Sequence, residues 1–428
     1  MAAPLALSQK SQRTTEPPIT WLIQSALDNP GLISLAAGLV DQASLPIQEV
    51  ANAVNELAAS PEVGKSALQY GTTRGYGPLR RRLLEHVANL DDVEPPAYGM
   101  NEDNVVVTTG SQQLLYLLSE VLLDPGDYVI TEAPSYFVHH GVLTSHGAKV
   151  LAVPMDDEGL DAAALVELLE KLESKGELER VKLIYTCDYF QNPSGLTLSL
   201  ERRRRLMDTV RRFSRSHRIL VLEDAAYREL GFAGKSLPSI KSFERDNAHV
   251  IYAGTFSKPC APGLKTGYAF VPSELLKPLL ELKGVHDFGS SNFNQVIIER
   301  FMASGGYEKH VRGLQERYRS KRDTILAALE DAFADWPEVH WTRPEGGMFL
   351  WLTFPADVDT GPSGPLLAAA LREGMLYVPG EFCHMPDEDG RVPRNEMRLC
   401  YGVEPHDRIR EAVRRLRKAS RVVQGVMV

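Results

Sequence analysis

The stretch GTFSKPCAPGLKTG at positions 254–267 sets Lys258 and Lys265 among hydroxyls and turn residues, directly after the apolar run HVIYA. A lysine amine attacks an aldehyde only in its neutral form, which burial or neighbouring positive charge favours. Taken alone, Lys258 reads as a solvated surface residue, the usual place for a lone lysine. Other polar groups fall at comparable places. Gly110, Ser111 and Gln112 open a helical run after NVVVTT, where free backbone N–H groups and the helix dipole suit a phosphate. Asp224 follows ILVLE, with Tyr227 three residues later; such a carboxylate could face a protonated pyridine nitrogen or cap a helix. The run QNPSG, with Asn192, follows IYTCDYF and alone reads as an Asn-Pro turn. Thr255 and Ser257 add hydroxyls beside Lys258.

These residues need a scaffold that brings strand ends together. From about 100 to 270, apolar strand-like runs (NVVVTT, YVITEA, KVLAVPM, VKLIYTC, ILVLED, HVIYAGTF, GYAFV) alternate with amphipathic helical ones. In SQQLLYLLSEVLL, Leu114, Leu115, Leu118, Val121 and Leu122 share a helical face. The alternation predicts an α/β fold with a mostly parallel, seven-stranded-type sheet covered by helices on both faces. Ligands of such sheets gather outside the carboxyl ends of the strands, where the polar residues lie. After 273 the pattern becomes a smaller α+β domain: a long helix over YEKHVRGLQERYRSKRDTILAALEDAF, strands GMFLWLTF and MRLCYG, and a final helix. The expected division is an N-terminal arm at 1–30, an N-terminal part of the small domain at 31–60, a large domain at 61–300 and the C-terminal small domain at 301–428.

The chain has 428 residues, 43% hydrophobic and 24% charged, as in globular domains. Lys+Arg 47 against Asp+Glu 56 leaves a net charge of −9, which argues against nucleic acid or an anionic membrane as partner. Four scattered cysteines (Cys187, Cys260, Cys383, Cys400) suit free thiols in a reducing compartment. No signal-peptide pattern opens the chain, and no window reaches the roughly 18–20 apolar residues of a membrane span. A cytoplasmic enzyme is expected. Arg202–Arg205 is expected to be a solvated helix face backed by Met207, Val210 and Phe213. Neither His139-His140 nor Cys383-His384 has the companion ligands of a metal site, so none is expected.

A nucleophilic lysine, a carboxylate for a ring nitrogen and a phosphate cup are together what pyridoxal 5′-phosphate requires. Here the chain resembles fold-type I pyridoxal-phosphate enzymes, and within them class I/II aminotransferases of the kynurenine/2-aminoadipate, multisubstrate kind. The likeness runs from about residue 31 to 420 through ISLAAGLVD, LQYGTTRGYGPLR, TTGSQQLL, EAPSYF, YFQNPSG, LEDAAYREL, GTFSKPCAPGLK, RPEGGMFLWL, YVPGEF and MRLCYG, in that order.

The resemblance implies roles. Lys258 would hold the cofactor as a Schiff base and shuttle the substrate Cα proton. Asp224 would keep the ring nitrogen protonated, and Tyr227 and Asn192 would hydrogen-bond the phenolic oxygen. Tyr136 would lie on the ring. Gly110, Ser111, Gln112, Thr255, Ser257 and Lys265 would bind the phosphate, joined by Tyr70 from a second subunit, which implies a homodimer with shared sites. Arg398 would grip the substrate α-carboxylate, with Asn192 and the backbone of Gly38 nearby. The implied reaction moves an amino group from an L-α-amino acid to a 2-oxo acid, 2-oxoglutarate foremost, by a ping-pong route; elimination, decarboxylation or cyclisation of a modified amino acid is the alternative. A DNA-binding regulator on this fold would need a basic N-terminal domain, for which the position of Ile33 leaves no room.

The chain departs from the family pattern in three places. Lys265 stands where arginine is usual, exchanging a planar fork for a point charge. Asp188 replaces a proline before QNP, and LVD at 39–41 replaces LPD; both are expected near the substrate mouth, where a carboxylate would either favour a cationic substrate or face solvent. Trp21 sits in an arm expected over the active site, shaping the pocket or packing simply.

Overall fold

The computed structural model of the chain describes residues 5–29, 31–232, 236–387 and 389–425. Residues 1–4 and Pro30 of the expected arm lie outside that set. The apolar runs form eight strands: β1 (Val105–Thr108), β2 (Tyr128–Ala133), β3 (Lys149–Asp156), β4 (Gly159–Leu160), β5 (Val181–Thr186), β6 (Leu220–Asp224), β7 (Val250–Thr255) and β8 (Gly267–Phe270). They lie in the order β1-β8-β7-β6-β5-β2-β3-β4. Neighbours from β7 through β3 are parallel, β8 is antiparallel to both β1 and β7, and β4 folds back on β3. The sheet is thus the expected mostly parallel one, with a two-residue eighth strand at its edge.

Strands β1, β6 and β7 are buried at every residue, as unbroken apolar runs in a sheet covered on both faces should be. Helix α1 (Gly110–Leu122) buries Leu114, Leu115 and Leu118, and α2 (Phe137–His146) follows β2. Helix α3 (Leu200–Phe213) buries Leu206, Met207, Val210 and Phe213, with the Ser199 hydroxyl accepting from Arg202 N–H at its start.

A second sheet holds β9 (His340–Trp341), β10 (Phe349–Thr353), β11 (Val378–Pro379) and β12 (Glu396–Cys400) in the order β9-β10-β12-β11, antiparallel throughout. The long helix α4 (Gly306–Phe333) and the C-terminal helix α5 (His406–Val423) bury Tyr318, Ile325, Leu329, Ile409, Val413 and Leu416 beside it. The N-terminal segment joins this part of the molecule, because Ile33–Ser34 pairs in parallel with Met375–Leu376. No helix among the described residues is long and apolar enough to cross a membrane.

Arg204 and Arg205 are exposed, as expected of a solvated helix face, but one member of that run and one expectation for the substrate mouth are overturned together. Arg203 is not on a solvated face but fully buried, and Asp188 is not at a substrate mouth but fully buried beside it. The Arg203 guanidinium donates to the Asp188 carboxylate and, at 2.8 Å, to the Asp188 carbonyl, and it lies 4.2 Å from the Tyr189 ring centroid. Glu223 is 3.6 Å from the same guanidinium. A helix arginine and a loop aspartate thus neutralise each other inside the protein. Arg203→Met would strand that carboxylate without its cation, and urea denaturation is expected to show a loss of about 3–5 kcal/mol.

Candidate active site

Parallel strands end at one edge of the sheet, and a cavity of about 240 Å³ opens there. Its walls include Gly38, Gly110, Ser111, Gln112, Tyr136, Asn192, Asp224, Tyr227, Thr255, Ser257, Lys258, Lys265 and Arg398. Every site residue expected from the sequence is therefore brought together except one. Tyr70 is 82% exposed and lies apart, its ring packed edge-on against Phe288 with centroids 5.6 Å apart.

Sheet register explains the convergence. Asp224 ends β6 opposite Ala253 of β7, so the last residue of β7, Thr255, and the chain after it, with Ser257 and Lys258, pass beside it. Helix α1 begins at Gly110 with no side-chain cap, leaving its first N–H groups facing the cavity. Gly110 has φ +73°, a value that favours glycine. Gly267 is required by proximity, because a Cβ there would come within 2.6 Å of the Gly110 carbonyl carbon and Ser111 N. Lys265 follows a short turn at φ +47°, and its exposed side chain has no hydrogen-bond or ion-pair partner among the described residues.

The cavity wall holds three cations, Lys258, Lys265 and Arg398, against the single carboxylate of Asp224. A protein of net charge −9 thus presents a locally positive pocket, suited to a phosphate and a carboxylate. Burial pushes the Asp224 pKa up to about 6, opposed by hydrogen bonds from Tyr185 O–H at 2.9 Å and Ala226 N–H at 3.2 Å. Burial also pulls the Lys258 amine down to about 8, helped by the positive charges of Arg398 and Lys265. The Lys258 ammonium donates to the Gly38 carbonyl at 2.7 Å.

Arg398 comes from β12 in the second sheet and reaches in between Phe349 and Phe137, 4.3 and 5.6 Å from their ring centroids. It donates to Asn192 Oδ1 at 2.6 Å and to the Ala36 carbonyl at 2.7 Å, while its buried Nε has no partner. Asn192 Nδ2 in turn lies 3.5 Å from the Tyr227 hydroxyl. A guanidinium on the wall of a buried, locally positive cavity is suited to receive a carboxylate. The donor set accordingly fits pyridoxal phosphate plus an amino acid: free N–H groups, hydroxyls and a cation for phosphate, a buried carboxylate for a ring nitrogen, a low-pKa lysine and an arginine.

Sequence reasoning missed several walls of this cavity, among them Ile19, Leu39, Phe137, Tyr185, Cys187 and Phe349. Of the N-terminal arm it is Ile19, on the helix Pro18–Asp28, that lines the cavity, and Trp21 is 40% exposed. Asp41 of LVD does not supply a free carboxylate either; it is buried, 3.4 Å from Lys321 and 3.5 Å from Arg317. His139 and His140 are buried in α2, where desolvation pulls their pKa values down to about 3 and about 4. Among the described residues no group of three or more His, Cys, Asp or Glu could hold a metal ion.

Comparison with known proteins points the same way. The family model described as aminotransferase class I and II matches residues 30–416. Aromatic-amino-acid aminotransferase 1 of Thermococcus litoralis is 35% identical over 91% of this chain and 88% of its own. The 2-aminoadipate transaminase of Thermus thermophilus is 34% identical over 91% of this chain and 90% of its own. The crystal structure of a multiple substrate aminotransferase from Thermococcus profundus matches with a TM-score of 0.89 at 33% identity, covering 98% of each chain.

The lowered Lys258 pKa makes a kinetic prediction. Aldehyde capture by this amine, trapped with borohydride and mapped by mass spectrometry, is expected to rise about tenfold per pH unit up to about 8 and then level off. A rise continuing to pH 10 would mark an ordinary surface lysine.

Proposed function

The chain belongs to the aminotransferase class I and II family and is a pyridoxal-phosphate-dependent aminotransferase, and from that premise we propose that it moves the amino group of an L-α-amino acid to 2-oxoglutarate by a ping-pong route. The observation that carries the proposal is the meeting of Lys258, Asp224 and Arg398 in one locally positive cavity.

In this reading each residue has a physical task. Arg398, on the cavity wall, binds the α-carboxylate of donor and acceptor alike, while Asn192 and the Ala36 carbonyl fix the plane of the guanidinium. The Gly110, Ser111 and Gln112 backbone, the hydroxyls of Ser111, Thr255 and Ser257, and Lys265 hold the phosphate. Asp224 holds a proton on the ring nitrogen by charge, and Tyr227 and Asn192 offer hydrogen bonds to the phenolic oxygen. Tyr136 closes one wall, and the backbone of Gly38 lies against the substrate carboxylate. Bound pyridoxal phosphate supplies an electron-withdrawing ring that accepts the electron pair left at substrate Cα. With the cofactor bound, Lys258, neutral above about pH 8, would take the proton from substrate Cα and hold it for return.

Tyr70, exposed and outside its own cavity, is free to enter the phosphate site of a second copy, so we propose a homodimer in which the partner's Tyr70 completes each site. We divide the chain at the expected boundaries, with 1–30 as arm, 31–60 and 301–428 as the small domain and 61–300 as the cofactor domain. Four free, buried cysteines support a reducing, cytoplasmic setting.

The direct test follows the nitrogen. With L-amino acids labelled with ¹⁵N offered one at a time, the label is expected in glutamate when 2-oxoglutarate is present, together with one equivalent of new 2-oxo acid per site when it is absent. Ammonia as the labelled product would contradict the reading. Arg398→Lys keeps charge but loses the fork, and is expected to lower kcat/KM for every donor by about 10- to 100-fold. Mixing Lys258→Ala with Tyr70→Ala protein is expected to restore activity, because one site of each mixed dimer is then intact; no gain on mixing would exclude shared sites.

A further inference from the structure

Tyr185 has no role in the reading above, yet it is the side chain that touches the Asp224 carboxylate. It lies within β5, next to β6, and is fully buried. Its O–H donates to Asp224 Oδ2 at 2.9 Å, while Oδ1 accepts the Ala226 N–H. Behind it, His139 of α2 meets the Tyr185 ring edge-on with centroids 4.3 Å apart. Both nitrogens of His139 are buried without a partner, and its lowered pKa keeps it neutral, so it supplies shape and no charge.

The electrostatics of this corner are one-sided. Burial drives Asp224 toward its protonated form, and the charge of Asp188 pushes the same way. The Tyr185 hydrogen bond is the largest influence in the opposite direction, ahead of the Ala226 N–H and the charge of Lys258. A protonated Asp224 could not balance a positive ring nitrogen, and a rotated one would not face it.

We propose that Tyr185, braced by His139, is a positioning residue that holds Asp224 ionised and aimed into the cavity, and so sets the protonation of the cofactor's ring nitrogen. The proposal rests on Asp224 facing that nitrogen. It makes the phenol a control on how strongly the ring withdraws electrons, although the phenol forms no bond to the substrate.

The test compares pyridoxal phosphate with its 1-deaza analogue, in which a C–H replaces the ring nitrogen. Full-length protein freed of cofactor is titrated with each, followed by absorbance, for wild type, Tyr185→Phe and Asp224→Asn. Wild type should prefer the natural cofactor; Tyr185→Phe should narrow that preference about tenfold while leaving analogue binding unchanged, and Asp224→Asn should abolish the preference. In the reconstituted enzyme Tyr185→Phe should lower kcat about tenfold or more, with donor KM within about threefold. If Tyr185→Phe keeps the preference while Asp224→Asn loses it, the role of Tyr185 is overturned and that of Asp224 stands. Equal weakening of both cofactors by Tyr185→Phe would also overturn the role, as a packing defect. If Asp224→Asn keeps the preference, the assignment of Asp224 falls and the proposal with it. Should Tyr185→Phe fail to fold, 3-fluorotyrosine at 185, a stronger donor of nearly the same shape, should widen the preference; an unchanged value would overturn the proposal.

Discussion

Taking charge out of water at the carboxyl edge of the sheet is the constraint on which the rest of this structure depends. Asp224 and Lys258 are opposite charges, and desolvation moves the pKa of each toward neutrality, to about 6 and to about 8. A carboxylate poised there stays charged only if it is given donors, and a lysine poised there has its neutral amine within reach of ordinary pH. Neither property would survive at the surface, where water would restore ordinary behaviour. The sheet makes the burial possible because β6 and β7 are adjacent, parallel and buried along their whole length.

The second sheet contributes Arg398, and the loop after the Ile33–Ser34 strand ties that arginine to the large sheet. The Leu35 carbonyl accepts from Cys400 N–H at 2.7 Å, the Ala36 carbonyl accepts from Arg398, and the Gly38 carbonyl accepts from Lys258. One short loop is therefore fastened to β12, to the arginine it carries and to the lysine of the large sheet. Asp41 anchors the far end by donating its backbone N–H to the Tyr318 hydroxyl at 3.2 Å, and its carboxylate lies 3.4 Å from Lys321. Because Arg398 also donates to Asn192, whose amide reaches Tyr227, the two sheets share a hydrogen-bonded path across the cavity.

Much of this was legible in the sequence for a simple reason. Lys258, Asp224, Asn192 and the Gly110–Gln112 turn each follow an apolar run, and a parallel sheet gathers the ends of such runs. Arg398 was readable only through the family likeness, since nothing in MRLCYG says which face of β12 meets the cavity. Residues whose meaning lies in a partner were not legible. Asp188 and Arg203 look like a loop acid and a surface base until a helix turns one onto the other, and together they remove the extra carboxylate expected at the substrate mouth. Tyr185 looks like one more strand aromatic, and alternation reports its burial without reporting that Asp224 is the group it touches.

The central claim is that Lys258 moves the substrate proton. The measurement that tests it most directly is washout of deuterium from the Cα position of an L-amino acid donor, with no 2-oxo acid present, in wild type and Lys258→Ala protein containing equal bound cofactor. Washout is expected in wild type and its loss in the variant, with partial recovery on adding a small primary amine. Washout at the wild-type rate in the variant would contradict it.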